Sequence, residues 1–421
     1  MPTTGFKISG GADLDTIFEP TGSFNVKRTD VGIKTGTTDI SNYYFNADEG
    51  GQVYGTTGFK TTSGTDIGNL FSKKDTVGPF IWTWGYGDGG TLLSVTETKS
   101  WKSVSGGDAV HAAIRSDDLL FTWGFPGSLI GNPNVVGNKF YSAGILSPVQ
   151  IGSSSWTAVS MGQNHALAIR SDGMLFAWGS NGTGVVGNNS YSNASSPVQI
   201  GSSSWTAIST GQYNSFAIRS DGTLFAWGAN VGGSFGNNST GSSNSPVQIS
   251  SSTWSVISAR GKAHRAAIRS DGRLFTWGFN SRGPLGDGTT VTKSSPVQIG
   301  SSSWTAVATG RYHTLAIRSG GTLFSWGYNK YGQLGDGTTV NKSSPVQIGS
   351  DSWTAVAANI ESSFAIRSDG TLFTWGAARF LGDNSTSNRS SPVQVGGSSA
   401  KWKAIDAMGS GGEHVIALRT K

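Results

Sequence analysis

Seven Trp-Gly dipeptides recur down the chain, at Trp84, Trp123, Trp178, Trp227, Trp277, Trp326 and Trp375. From Trp178 onward they stand 49, 50, 49 and 49 residues apart, so one supersecondary unit is copied many times. A period of this length marks a propeller or solenoid, because a single copy cannot bury its own apolar face. The repeat overrides the two or three domains that 421 residues would otherwise suggest.

Residues 171–220 serve as the type copy. Met174 to Gly179 reads as a short apolar strand rich in aromatics. A Gly/Asn/Ser loop follows, then Ser196-Pro197-Val198-Gln199-Ile200, where proline suits the first residue of a strand. Gly201 to Ser204 is expected to turn the chain into Trp205 to Ile208. Phe216 to Arg219 then runs into Ser220-Asp221-Gly222, whose Asp-Gly pair is a strong hairpin signal. Four short strands per copy make one propeller blade.

Two other series count seven as well. One is Trp101, Trp156, Trp205, Trp254, Trp304, Trp353 and Trp402; the other is the strand-end Arg115, Arg170, Arg219, Arg269, Arg318, Arg367 and Arg419. The repeat region opens on Phe80 to Trp84 and closes on Val415 to Arg419, strands that are hairpin neighbours in every internal copy. First and last strands are therefore expected to complete one blade, which removes the open ends of the array. The expected fold is all-β: a seven-bladed β-propeller of four-stranded blades over residues 79–421, with a small N-terminal extension over 1–78.

Composition agrees with a turn-rich, aromatic-packed β protein: 62 Gly, 15 Trp, 20 Phe, and only 13% charged residues. Cysteine is absent, which excludes disulfides and thiolate chemistry. Met1 to Phe18 lacks the basic-then-apolar order of a secretory signal, and no apolar run is long enough to span a bilayer, so no membrane insertion is expected. Residues 1–78 hold seven Lys/Arg against nine Asp/Glu, leaving 24 against 16 in the repeat region. That excess is mild and shows no basic run of the kind nucleic-acid binders cluster, so no nucleic-acid partner is expected.

The pattern from Leu323 to Gly335, Leu-Phe-x-Trp-Gly-x-Asn-x-x-Gly-x-Leu-Gly, resembles the regulator-of-chromosome-condensation repeat family. The Gly-x-x-His-x-x-Ala-Ile of Gly310 to Ile317 strengthens the likeness, which covers roughly residues 79–421. It implies a seven-bladed propeller. Blade 1 departs most, since Tyr86 to Ser100 lacks the Ser-Pro-Val-Gln element that the other six carry.

Catalysis finds little support in the residues. His165, His264, His313 and His414 share one register, with His111 one position off it, and equivalent residues of successive blades do not converge on one metal. Asn214 and Ser362 replace His in two blades, so a repeated turn-stabilising hydrogen bond is the expected role. Beside five strand-end arginines lies a turn aspartate (Asp117, Asp172, Asp221, Asp271, Asp369), which predicts local pairing or stacking on a neighbouring Trp rather than a free basic ring. Leu285 to Thr289 and Leu334 to Thr338 each hold one carboxylate, too few for a calcium loop, and read as blade turns. No Ser-His-Asp set, paired carboxylates or nucleotide fingerprint appears. The expectation is a non-enzymatic protein with no cofactor and no metal.

Specificity on a repeated scaffold belongs in its variable loops. The loop after Trp123 spans 25 residues to its Ser-Pro proline against 19 in the type copy, and it contains Phe140 and Tyr141. With Tyr191, Phe235, Tyr331 and Phe380 these are candidate rim contacts for a protein or glycan, the alternative being aromatics packed beneath their own loops.

The extension carries its own duplication at an offset of 53: Thr3 to Lys7 recurs as Thr56 to Lys60, and Asp13, Leu14 and Phe18 match Asp66, Ile67 and Phe71. Phe6, Asp13, Leu14, Phe18, Phe59, Asp66, Ile67 and Phe71 are candidate docking residues, the alternative being a plain packed adaptor. The segment is similar to the leaders of tailed-phage structural proteins. Together these features suggest a virion component, such as a capsid decoration, fibre or tail-associated adhesin. Virion proteins would hold residues 1–78, a host surface protein or glycan would meet the propeller, and subunits could form a homo-oligomer within the assembly. The alternatives are a secreted or cytoplasmic protein-binding propeller similar to propeller-type β-lactamase inhibitors, and a guanine-nucleotide exchange factor.

Overall fold

The Trp-Gly strand is the third of each blade and pairs antiparallel with the Arg-ended strand before it. In the computed structural model this arrangement is described for residues 34–35, 38–39, 80–85, 100–108, 110–124, 145–262, 264–383, 385–396, 400–407 and 414–420. The chain divides into two compact units. The larger, Gly78–Val95 with Lys99–Lys421, holds every described strand except the hairpin Lys34–Thr35 and Thr38–Asp39.

Blade 2 is traced from axis to rim by Trp101–Gly106, Val110–Arg115, Leu120–Gly124 and Ile145–Gln150. Blade 1 joins the two ends of the repeat region: Lys401–Ala407, His414–Thr420 and Phe80–Gly85 form one sheet, with Val415 opposite Trp84 and Leu418 opposite Ile81. Blades 3 to 7 carry Trp178, Trp227, Trp277, Trp326 and Trp375 in their third strands. The innermost strands touch their neighbours in an unbroken cycle, and the strand of blade 1 meets that of blade 2. The ring is closed with seven blades.

Successive blades are more continuous than the sequence suggests. The expected Gly201 to Ser204 turn is a bend inside one strand, Ala194–Thr210. Its first half lies on the rim of blade 3, with Val198 opposite Ala177, and its second half is the innermost strand of blade 4, with Trp205 opposite Arg219. Ser204 stays paired to Met174 across the bend, so the backbone never leaves the sheet. Ser243–Ser258, Lys293–Thr309 and Lys342–Ala358 repeat the arrangement. Pro197 accordingly sits within a strand rather than at its start, on the blade's outer edge, where a missing N–H is tolerated.

Tryptophan fills the space between blades. Trp178, Trp227, Trp277, Trp326 and Trp375 are fully buried. Each of the last four donates its indole N–H to a carbonyl in the preceding blade's loop: Val185, Ser234, Pro284 and Gln333, at 2.8–2.9 Å. Trp84 does the same across the closure, to Phe380 O at 2.9 Å. Six of the second Trp series stand edge-on to a phenylalanine of their own blade, as in Trp205–Phe225 at 5.3 Å between centroids, and Trp402 stands edge-on to Trp82.

The Leu-Gly of the repeat follows from this junction. Gly286 has φ of +76°, and a Cβ there would lie 2.5 Å from the Trp326 indole nitrogen. Gly286→Ala is expected to destabilise the protein by about 3 kcal/mol, because the indole must move off Pro284 O. Urea unfolding followed by tryptophan fluorescence checks this, and a change within error of zero would contradict the packing.

The histidines join blades, which corrects the expected turn bond. His165 Nε2 meets Ser215 Oγ at 2.9 Å, His264 Nε2 meets Thr314 Oγ1 at 3.0 Å, and His313 Nε2 meets Ser363 Oγ at 2.9 Å, each in the next blade. Those hydroxyls donate to Val185 O, Pro284 O and Gln333 O, which also accept the tryptophan N–H. Since each hydroxyl proton is committed, the imidazole must donate from Nε2 and is neutral, with Nδ1 bare in His165 and His313. Gly310 explains the Gly-x-x-His spacing: a Cβ there would press on the His313 ring at 2.3 Å. Where Asn214 stands in place of His, the next blade answers with Arg265, whose guanidinium donates to Asn214 Oδ1 at 2.7 Å.

A second set of inter-blade bonds circles the axis. Ser105, Ser160, Ser209 and Ser258 each accept, through Oγ, a backbone N–H of the next blade's innermost strand, at 2.9–3.1 Å. Asp406 holds the equivalent place in blade 1 and accepts Gly106 N–H at 3.0 Å. Alanines 308 and 357 occupy the other two places.

Candidate binding face

Antiparallel blades put alternate connections on opposite faces. Hairpins between second and third strands present the strand-end arginines on one face. Here Arg115, Arg170, Arg219, Arg269 and Arg367 pair with Asp117, Asp172, Asp221, Asp271 and Asp369. All five also lie over a phenylalanine, as Arg219 over Phe225 at 5.1 Å, while Arg318 and Arg419, which lack a turn aspartate, lie over the expected tryptophans, Trp304 and Trp82. The hydrogen bond from Arg269 holds the Asp271 carboxyl down at about 2. These pairs leave no free basic ring on the hairpin face.

The opposite face collects two loops per blade, one after the innermost strand and one after Trp-Gly. Buried asparagines shape the latter: Asn280 Oδ1 accepts Leu285 N–H at 3.1 Å while its amide donates to Thr289 O and Val291 O. Asp287 is spent within this loop on Asn280, Thr289 and Lys293. The two Leu-Gly-Asp-Gly-Thr stretches are thus blade turns whose aspartates bond their own loop through Oδ1 and face a lysine 3.9 Å away through Oδ2.

The candidate rim aromatics separate into three groups. Tyr191 is 58% exposed, while Tyr331 is half-buried against the core of blade 7 and blade 1. Phe235 and Phe380 are 0% exposed and are not rim contacts. Phe235 fills the place that Leu285 and Leu334 take in other blades, and Phe380 offers the carbonyl that receives Trp84. Phe140 and Tyr141 lie outside the described residues, as do all eight docking candidates in residues 1–78.

What the loop face does assemble is a cluster of arginines and tyrosines over blades 5 to 7. The Arg282 guanidinium lies 4.1 Å from the Tyr328 ring centre and 5.1 Å from that of Tyr312, and Arg311 lies 5.4 Å from Tyr312. Phe279 extends the aromatic surface, 6.1 Å from Tyr312. With Ile360 and Glu361 these residues line a cleft of about 240 Å³. A larger hollow of about 420 Å³ between blades 3 and 4 offers Arg219, already tied to Asp221, and otherwise mostly Gly, Ser and Asn.

Sequence reasoning missed this cluster because it weighed charge along the chain rather than by face. Loop-face segments 162–164, 180–193, 211–213 and 229–242 of blades 3 and 4 contain no charged residue. The corresponding loops of blades 5 to 7 carry Arg260, Lys262, Arg282, Arg311, Lys330 and Arg379.

Arg260 has a separate task. The stretch from Trp254 to Arg269 is one residue longer than Trp205 to Arg219, and Arg260 is the added residue. From blade 5 it crosses the axis to the opposite side, donating to Gly106 O at 2.7 Å, Met161 O at 2.8 Å and Ser105 Oγ at 2.7 Å, and pairing with Asp406. Burial raises the Asp406 carboxyl above its ordinary value in spite of the guanidinium beside it. The axis is bridged at this mouth.

Three histidines are spent on holding blades together. His165 and His264 are pushed down to about 3 and His313 to about 4 by burial, and all three are engaged between blades. Among the described residues no cluster of His, Asp or Glu could hold a metal ion.

The sequence pattern of the RCC1-like domain matches residues 75–349. Among solved structures, yeast RCC1 (Prp20) bound to Kap60 superposes with a TM-score of 0.71 at 17% identity, covering 82% of this chain and 89% of that one. Prp20p from Saccharomyces cerevisiae, described with its binding to Gsp1p and histones, gives 0.70 at 18% identity over 82% and 92%. Human WBSCR16 gives 0.69 at 17% identity over 82% and 99%. At such identities the superpositions speak to the fold alone; the sequence match covers well over half the chain, and the protein belongs to the family of RCC1-like domains.

Proposed function

We propose that this chain is a non-enzymatic binding scaffold that engages a partner protein through the loop face of blades 5 to 7. The observation that carries the reading is the concentration of Arg282, Arg311, Tyr312 and Tyr328 in one sector of a face whose neighbouring sector is uncharged. Arginine and tyrosine are the residue types that dominate protein contact energies. Prp20 has been solved with Kap60, and its binding to Gsp1p and histones described, so protein partners are in keeping with the family.

A photo-crosslinking residue at Tyr328 of the full chain, compared with one at Thr223 on the hairpin face, tests this. A defined protein adduct from the Tyr328 position alone is expected. Equal adducts from both positions, or none from either, would end the reading.

We propose further that the protein is a virion component, with residues 1–78 as its tether. That setting rests on the duplicated Gly-Phe-Lys element of the extension and on its paired Asp13-Leu14 and Asp66-Ile67. Antibodies to the chain are expected to label purified particles, and unlabelled particles would remove it.

A further inference from the structure

We propose that the cleft between Arg282, Arg311, Tyr312 and Tyr328 receives the carboxylates of an acidic peptide segment of the partner protein. The proposal rests on the reading above and names the chemistry of its partner.

Besides the cleft's own two arginines, Lys262 and Lys330 in the neighbouring loops have no ion pair among the described residues, Lys330 lying over Tyr331, while the remaining cations around the cleft have acceptors. Arg379 pairs with Glu361, Lys293 with Asp287, Lys342 with Asp336, Arg389 with Asp383, and Arg260 with Asp406. Among the described residues, Arg282 and Arg311 have neither an ion pair nor a side-chain hydrogen bond; ring contacts alone hold them. Arg311 Nε is buried without a partner. A guanidinium stacked on tyrosine has already lost much of its rotamer freedom, so its fork meets a carboxylate with little further ordering.

The same stacking decides between kinds of anion. Single-stranded nucleic acid binds by laying bases on open aromatic faces. Here Arg282 covers one face of Tyr312 and one of Tyr328, and Arg311 also lies against Tyr312, so the cleft side of these rings is already stacked. Arg379 neutralises Glu361 on the cleft's edge, which leaves Arg282 and Arg311 as the cleft's free charges, and Ile360 beside them, 8% exposed, offers an apolar floor. A peptide that alternates carboxylates with aliphatic side chains suits both.

Fluorescence anisotropy of the full chain tests this, using three labelled probes: a Glu-Leu dodecapeptide, its Gln-Leu counterpart and an oligo-dT dodecamer. The Glu-Leu peptide is expected to bind and to weaken about tenfold or more in R282Q/R311Q and on raising salt from about 0.05 to about 0.5 M. R282K, which keeps the charge but not the fork, is expected to show a smaller loss, and R273Q on the opposite face none. No binding of the Glu-Leu peptide, equal binding of Gln-Leu, indifference to R282Q/R311Q, or tighter binding of oligo-dT at the same arginines would each overturn the assignment. Circular dichroism of R282Q/R311Q confirms the fold, and R282K keeps the test valid if that variant is unstable. Peptide failure with the Tyr328 cross-link intact removes this assignment alone; loss of the cross-link removes the reading beneath it.

Discussion

Acidification from about pH 7 to about pH 5 is expected to lower the stability of the ring by about 6 kcal/mol. The source is three neutral imidazoles. His165, His264 and His313 titrate near 3, 3 and 4 in the folded protein, against 6.5 for the ordinary side chain, with burial the first cause. Between those values the unfolded chain binds protons that the native ring refuses, so stability rises with pH. The contribution is complete above about pH 6.5 and is lost as pH falls toward about 4 for His313 and about 3 for His165 and His264, at about 2 kcal/mol per histidine by pH 5. Structurally, a second proton would sit on Nδ1, which has no acceptor in His165 or His313. Urea midpoints measured across this range check the expectation. A flat profile, or one in which H165Q/H264Q/H313Q retains the full slope, would show that the junctions are not the titrating element.

Asn214 and Arg265 supply the second large effect, through a reversal of sign. Arg265 is 1% exposed, and its acceptors, Gly261 O, His264 O and Asn214 Oδ1, are all uncharged. Burial pulls its guanidinium down to about 9, so it stays charged at neutral pH without a counter-ion. Arg265→Thr alone removes the partner of Asn214 and the cation over Phe216, and is expected to destabilise by about 3 kcal/mol. Asn214→His alone sets an imidazole against the guanidinium and should also destabilise. The double substitution N214H/R265T rebuilds the His-to-hydroxyl junction found at three other places and relieves a buried unpaired charge. It is expected to exceed the parent by about 1–3 kcal/mol. Four chemical denaturation curves close the cycle, and additive losses would refute the exchangeability of the two junctions.

The legible parts of this molecule are those encoded within one repeat or by its copy number. Trp-Gly strands, Asp-Gly hairpins with their arginine pairs, and the seam between Phe80 and Arg419 all follow from periodicity and phase. The junction histidines were misassigned to a turn because their partners lie about 50 residues on and one register later, a relation invisible in a single copy. Phe235 was legible in principle: aligning its loop with Leu285 and Leu334 would have placed it inside. Arg260 announces itself as a one-residue insertion, but its reach across the axis exists only once the ring is closed. The arginine–tyrosine cluster is likewise a property of the assembled face, drawn from loops far apart in the chain.

The seam of blade 1 also sets a schedule for synthesis. Phe80–Gly85 emerges from the ribosome early, yet its partner is His414–Thr420, more than 300 residues later. At about 5–20 residues per second this strand waits tens of seconds with one edge bare. Throughout that interval the nascent protein is an arc presenting an unpaired, aromatic ribbon to anything nearby, including the same ribbon on a neighbouring polysome chain. Escape from aggregation at that stage depends on translation speed and chaperone cover rather than on the finished ring.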